Sequence, residues 1–109
     1  MYRGVKAGHP ALEAAKEGTV IPGDADGLVT AAEHNAGGYS AESPYTSWST
    51  NESTARWFAN SNGPGGVVLR APYEPPPPGA TWSWEASPDL FNEGEILLRG
   101  VRTGLEVIP

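Results

Sequence analysis

Cysteine is absent from this sequence, and histidine is nearly so, with only His9 and His34 among 109 residues. The absence of cysteine excludes disulfide bonds, thiol nucleophiles and thiolate metal sites. The spacing of the two histidines does not match the pairs that bind metal ions from a helix or a finger. We therefore expect no metal centre in this protein.

Positive charge is also scarce: seven Lys and Arg residues stand against 13 Asp and Glu residues, a formal net charge of −6. A protein that binds a phosphate backbone needs a basic surface, so nucleic acid is a disfavoured partner. No stretch has the length of a membrane span or a signal peptide, and we expect no membrane partner. The length predicts one domain with one core, and we expect a monomer.

Glycine and proline are abundant, with 14 and 11 residues, while four Trp and four Tyr supply material for a core. This composition favours short strands joined by turn-rich loops. Alternating or short apolar runs with aromatic and β-branched residues predict strands. They fall at residues 1–5, 45–48, 67–70, 81–84, 96–98 and 105–108.

Three short helices are predicted from capping and glycine signals. Residues 11–16 follow His9-Pro10 and end before Gly18, and residues 26–33 end at the Gly37-Gly38 pair. Ser49 stands three residues before Glu52, the spacing of a capping box, and opens the third helix, which includes residues 55–59. Helices early and strands late predict an α+β fold.

Two acidic residues precede the apolar run at 96–98, in the sequence Glu93-Gly94-Glu95. In an extended chain, residues i and i+2 point to the same side, so both carboxylates would face one cleft. An isolated pair of this kind is also typical of a solvated turn. Its meaning depends on the rest of the sequence.

Two further motifs carry polar groups at predicted strand ends: Tyr2-Arg3-Gly4 and Ser47-Trp48-Ser49. Strand ends converge in a small domain, so we expect both motifs and the acidic pair to share one active site. The three motifs, in this order, resemble the signature of the cholera-toxin-like mono-ADP-ribosyltransferases: an Arg on the first strand, a Ser-x-Ser element and a Glu-x-Glu. The residues around the motifs also resemble that family, including a final hairpin at 93–98 and 105–108.

The sequence departs from the family pattern at two places. Trp48 stands where many members have Thr, and the loop at 99–104 lacks the frequent Pro-x-Gly-Thr. The resemblance implies two packed, mostly antiparallel sheets that form an NAD cleft, with short helices early in the chain. It implies a single catalytic domain over residues 1–109, and the position of Arg3 near the start suggests a module of a longer protein.

The expected reaction is pentosyl transfer from NAD. Cleavage of the bond between nicotinamide and ribose gives an oxocarbenium-like centre that a nearby carboxylate stabilises, a role that fits Glu95. The resemblance implies that Glu95 also holds the ribose 2′-hydroxyl. It implies that Glu93 orients the acceptor, most often arginine of a protein. Phe91, two residues before Glu93, either meets that acceptor or anchors the loop.

The remaining site residues are expected around the cofactor. Arg3 would bind a phosphate or ribose through its fork of donors, or pair with Glu95 in the free protein. Ser47 would hydrogen-bond the catalytic glutamate or the ribose. Gly4, Trp48 and Ser49 also belong to the expected NAD site, although Trp48 suits the core and Ser49 suits a helix N-cap.

Several alternatives stay open at this level. His34 is either a helix cap or a neighbour of the adenosine. Trp82 and Trp84 form either a surface for a partner or for the nicotinamide ring, or part of the core. The resemblance implies a bacterial toxin or effector that acts in the cytoplasm of a target cell, and it leaves open whether a cognate immunity protein exists. The alternatives are an NAD glycohydrolase, an enzyme that modifies nucleic acid or a small molecule, and a non-catalytic binding module.

Overall fold

The structure is a computed structural model, and it describes residues 1–36, 40–87 and 95–108. The chain forms β1 (Tyr2–Val5), α1 (Leu12–Lys16), α2 (Ala31–Ala36), a 3₁₀ turn (Ser40–Glu42), β2 (Tyr45–Ser49), α3 (Glu52–Ala59), β3 (Val67–Arg70), β4 (Trp82–Ala86), β5 (Glu95–Gly100) and β6 (Glu106–Ile108). The expected α+β class is confirmed. Within the described ranges, no helix is long and apolar enough to cross a membrane.

The strands form one antiparallel sheet in the order β4-β5-β2-β1-β3-β6. The expectation of two separate packed sheets is therefore wrong. At the centre of the sheet, however, β1 and β2 are joined by a single residue pair, Tyr2 with Ser49. The sheet thus consists of two three-stranded halves, β4-β5-β2 and β1-β3-β6, that separate beyond this pair.

The expected final hairpin is also wrong, because β5 and β6 are not neighbours. β5 is paired with β2 on one side and β4 on the other, so neither edge is left for β6. The connecting chain instead runs beside residues 18–20: Arg102 bridges Val20, and the Leu105 amide donates to the carbonyl oxygen of Gly18 at 2.9 Å. β6 then pairs with β3 at the far edge.

The main core lies on one face of the sheet, around Trp48, Leu69 and Leu98, whose exposed fractions are 2%, 0% and 0%. The indole N–H of Trp48 donates to the hydroxyl of Thr46 at 3.0 Å, so its polar atom is satisfied inside the core. Trp82 and Trp84 pack against this cluster. Core packing therefore accounts for all three tryptophans.

α3 begins two residues later than predicted. Its N-cap is Asn51, whose side chain accepts a hydrogen bond from the Ser53 amide at 2.9 Å. Ser49, the predicted cap, remains the last residue of β2, because it is paired with Tyr2 on one side and Glu95 on the other. Strand pairing thus determines the position of Ser49 and leaves the capping to Asn51.

α2 begins at Ala31, five residues after the predicted start. A capping box explains the observed start: the Glu33 amide donates to the Thr30 hydroxyl at 3.2 Å, and the Thr30 amide donates to the Glu33 carboxylate at 3.1 Å. The preceding segment is a turn in which the amides of Asp26 and Gly27 donate to Asp24. The predicted end at Gly37-Gly38 lies outside the described residues.

α3 packs closely on β1, and Gly4 makes the close packing feasible. A Cβ atom built on Gly4 would overlap the main-chain oxygen of Ala55 and would lie 2.7 Å from the nitrogen of Ala59. Both alanines are buried in this contact, with exposed fractions of 2% and 3%. Gly4 therefore has a packing role beside the expected role in the cofactor site.

We predict that Gly4→Ala lowers the free energy of unfolding by about 3 kcal/mol, because the new methyl group meets helix backbone that cannot yield like a side chain. The measurement is urea unfolding followed by tryptophan fluorescence. Gly79→Ala is the matched control: Gly79 has a positive φ of 79° but open space around it, so it should lose only about 1 kcal/mol. Equal losses for both variants would contradict the close contact.

Candidate functional site

The structure brings Arg3, Ser47 and Glu95 to one cleft of about 760 Å³, bounded by residues of β1, β2, β5 and α3. The sheet register explains how these distant residues meet. Glu95 lies opposite Ser49 in the β2–β5 pair, and Ser49 lies opposite Tyr2 in the β1–β2 pair. At least one residue of each motif therefore lies where the two halves of the sheet join, and from the acidic motif this residue is Glu95.

Arg3 bridges the gap that opens between β1 and β2. Its Nη1 donates to the main-chain oxygen of Ser47 at 3.1 Å. Its Nε is buried and has no hydrogen-bond partner among the residues that the structure describes. Burial lowers the pKa of Arg3 to about 10, so the side chain remains a cation at neutral pH. A partly buried cation with unused donors at the wall of a cleft is a ready ligand for an anion or a sugar hydroxyl.

The alternative in which Arg3 pairs with Glu95 does not describe the free protein. Arg3 belongs to none of the salt bridges among the described residues. The guanidinium is instead anchored to a carbonyl oxygen of β2. The carboxylate of Glu95 and the cation of Arg3 therefore line the same cleft without neutralising each other directly.

His34 lies beside Ser47, a contact that the sequence did not reveal. Its Nε2 is 3.1 Å from the Ser47 hydroxyl, and its Nδ1 is 2.8 Å from the hydroxyl of the fully buried Ser43. A neutral imidazole donates from one nitrogen and accepts at the other, so the ring connects the two hydroxyls in one hydrogen-bonded chain. The ring thereby fixes the orientation of the Ser47 side chain.

The charge on His34 responds to the other site residues. Burial lowers the pKa of His34 below its usual value, the charge of Glu95 opposes this shift, and the charge of Arg3 adds to it. The imidazole is therefore neutral at pH 7 and available as both donor and acceptor. No local pattern marks His34 for this position, since it depends on how α2 packs over β2.

A second cavity of about 590 Å³ adjoins the cleft and shares Arg3, His9 and Ser47 with it. Its other walls include Ile21, Pro22, His34 and Tyr45. The two cavities together offer room for an extended ligand with a bulky group at each end. Arg3 and Ser47 stand at the boundary between them.

Two aromatic rings of α3 also line the cleft. Trp57 and Phe58 have exposed fractions of 66% and 52%, and their rings meet edge to face with centroids 5.1 Å apart. Both residues fall within the predicted third helix, and the sequence indicates no role for them at the site. Two adjacent bulky aromatics on a short helix could have signalled this, because adjacent positions cannot both face the core.

The other predicted site residues have different positions. Gly4, Trp48 and Ser49 all line the cleft, although Trp48 is almost completely buried and serves mainly the core. Glu93 and Phe91, the predicted acceptor residues, lie outside the described residues, so the structure does not test their roles. Within the described part of the chain, no group of three or more acidic or histidine side chains could hold a metal ion.

Comparisons of this chain with protein-family models, with curated proteins and with solved structures found no significant match. The resemblance to ADP-ribosyltransferases therefore rests on the motif residues alone. The geometry of the cleft is an independent observation, since it follows from the sheet register.

We predict that Glu95→Gln lowers the pKa of His34 further, because the substitution removes the negative charge that opposes the lowering by burial and by Arg3. The pKa is measured by NMR titration of the imidazole ring protons. His9 is an internal control, because its pKa is lowered by burial and by the charges of Arg3 and Lys6. A His34 pKa that does not respond to the substitution would place Glu95 away from the site.

Proposed function

We propose that this protein is a mono-ADP-ribosyltransferase that uses NAD, releases nicotinamide and attaches ADP-ribose to a macromolecular acceptor, namely arginine of a protein. The observation that supports this most strongly is the meeting of Arg3, Ser47 and Glu95 in one cleft. These are the residues at which the sequence resembles the family. The cleft volume also lies within the range of about 300–1,000 Å³ that is usual for small-molecule sites.

The proposed chemistry begins with cleavage of the bond between C1′ of the ribose and the nicotinamide nitrogen. The bonding electrons leave with nicotinamide, and C1′ becomes an oxocarbenium-like centre. The carboxylate of Glu95 stabilises this positive charge and holds the 2′-hydroxyl. A guanidine nitrogen of the acceptor then bonds to C1′ and loses a proton to a base, for which we propose Glu93.

The other residues position the reacting groups. The Ser47 hydroxyl, oriented by His34, lies between the carboxylate and the ribose in this proposal. Only Nη1 of Arg3 donates to Ser47, and in this proposal the Nε donor of Arg3 binds NAD. Gly4 lets α3 lie close to β1, so that the wall formed by Trp57 and Phe58 closes one side of the cleft.

The biological setting of the proposal rests on the family resemblance. In that setting the protein is a bacterial toxin or effector module, delivered to the cytoplasm of a target cell. A cognate immunity protein would then protect the producing cell.

We predict that Glu95→Gln reduces the rate of nicotinamide release from NAD by at least about a hundredfold, because the amide is isosteric but carries no charge to stabilise the oxocarbenium centre. Release is followed by chromatography in the presence of cell lysate. The matched control is Glu106→Gln, which removes an exposed carboxylate of β6 that pairs with Arg70 at 3.3 Å. This control should retain full activity.

The same assay identifies the acceptor when NAD carries a label on the adenine. Transfer predicts label on arginine of lysate proteins and faster nicotinamide release with lysate than without it. Equally fast release without lysate would instead indicate an NAD glycohydrolase, and label on RNA would indicate a nucleic-acid acceptor. A protein that neither binds nor consumes NAD would be a binding module, and the enzymatic proposal would be wrong.

A further inference from the structure

The distribution of positive charge in this acidic protein is uneven. Four of the seven Lys and Arg side chains form ion pairs with carboxylates: Lys16, Arg56, Arg70 and Arg102. The guanidinium of Arg99 lies 5.8 Å from the centre of the Tyr45 ring. The remaining two cations, Arg3 and Lys6, both line the cleft, and neither forms an ion pair with any described residue.

His9 adds a hydrogen-bond donor to these two cations. Its Nδ1 accepts a hydrogen bond from the Ala11 amide at 2.9 Å. In a neutral imidazole the other nitrogen must then carry the proton, so Nε2 is a donor. His9 lines both cavities, and the charges of Arg3 and Lys6 are close enough to reinforce the lowering of its pKa by burial.

Arg3 and His9 therefore stand at the boundary of the two cavities, and Lys6 adds a third donor from the wall of the larger one. All three come from β1 and the turn that follows it. A net charge of −6 provides enough carboxylates to pair every cation on the surface. Cations left without such partners beside a cleft attract an anion, and low-dielectric walls strengthen that attraction. Two cations and one neutral donor suit a ligand with about two negative charges and several acceptor oxygens.

We infer that Arg3, Lys6 and His9 bind the diphosphate group of the ligand, so that one nucleoside half lies in each cavity. This inference rests on the proposed function, because it names the part of NAD that these residues hold. Glu95 lines only the larger cavity, which therefore takes the nicotinamide riboside. The smaller cavity, with the apolar side chains of Ile21 and Pro22, takes the adenosine.

Binding of ADP and of adenosine, measured by isothermal titration calorimetry, tests this inference. Lys6→Gln removes an exposed charge, and His9→Asn retains an acceptor for the Ala11 amide while it removes the Nε2 donor. Each substitution should weaken ADP binding about tenfold and leave adenosine binding unchanged, since a charge-assisted hydrogen bond is lost. Lys16→Gln is the matched control, because Lys16 lies on α1 and pairs with Glu13. It should bind ADP as the unaltered protein does.

The inference is overturned if the unaltered protein does not distinguish ADP from adenosine. It is also overturned if the Lys6 and His9 variants bind ADP as tightly as Lys16→Gln. If both variants release nicotinamide with an unchanged KM for NAD, the diphosphate site is wrong while the proposed enzymatic activity still holds. ADP binding that requires Lys6 and His9, without any release of nicotinamide, would support the site and contradict the proposed enzyme.

Discussion

The hydrogen bond from Arg3 to the main-chain oxygen of Ser47 is the interaction on which the rest of the structure depends. The two central strands share one residue pair, Tyr2 with Ser49, and then part. Without a donor from Arg3, the freed carbonyl oxygen of β2 would require water or another partner. The guanidinium therefore connects the two halves of the sheet and, in the same position, forms the boundary between two cavities.

Because Arg3 lies both at the junction of the half-sheets and at the boundary of the cavities, the polar site residues lie together here. A sheet that stays fully paired buries its main-chain groups in ladders and leaves no gap for a ligand, whereas parting strands expose side chains from both halves. Glu95 enters from the start of β5, and His34 reaches Ser47 from α2. A buried cation, a carboxylate and an oriented hydroxyl then line connected space. Because the chain has only seven Lys and Arg residues, the presence of Arg3 in this cleft indicates a binding role.

Strand positions and the main core could be predicted from the sequence, because alternation, β-branching and tryptophan content are local properties. The pairing of β5 and β6 could not, since it depends on which edges other strands already occupy. The capping signal at Ser49 is misleading, because pairing with two neighbouring strands keeps this residue in β2. Asn51 caps α3 instead. The contact of His34 with Ser47 is tertiary, and no spacing in the sequence encodes it.

We propose that NAD binds at the junction of the two half-sheets, against Arg3. The most direct test is an NMR titration of the protein with NAD that follows the backbone amides and the Arg3 Nε–H. If NAD binds there, the largest shifts occur at Arg3, Ser47 and Glu95 and along the rest of β1. Absence of shifts, or shifts confined to the surface around Arg102 and Trp82, would contradict it.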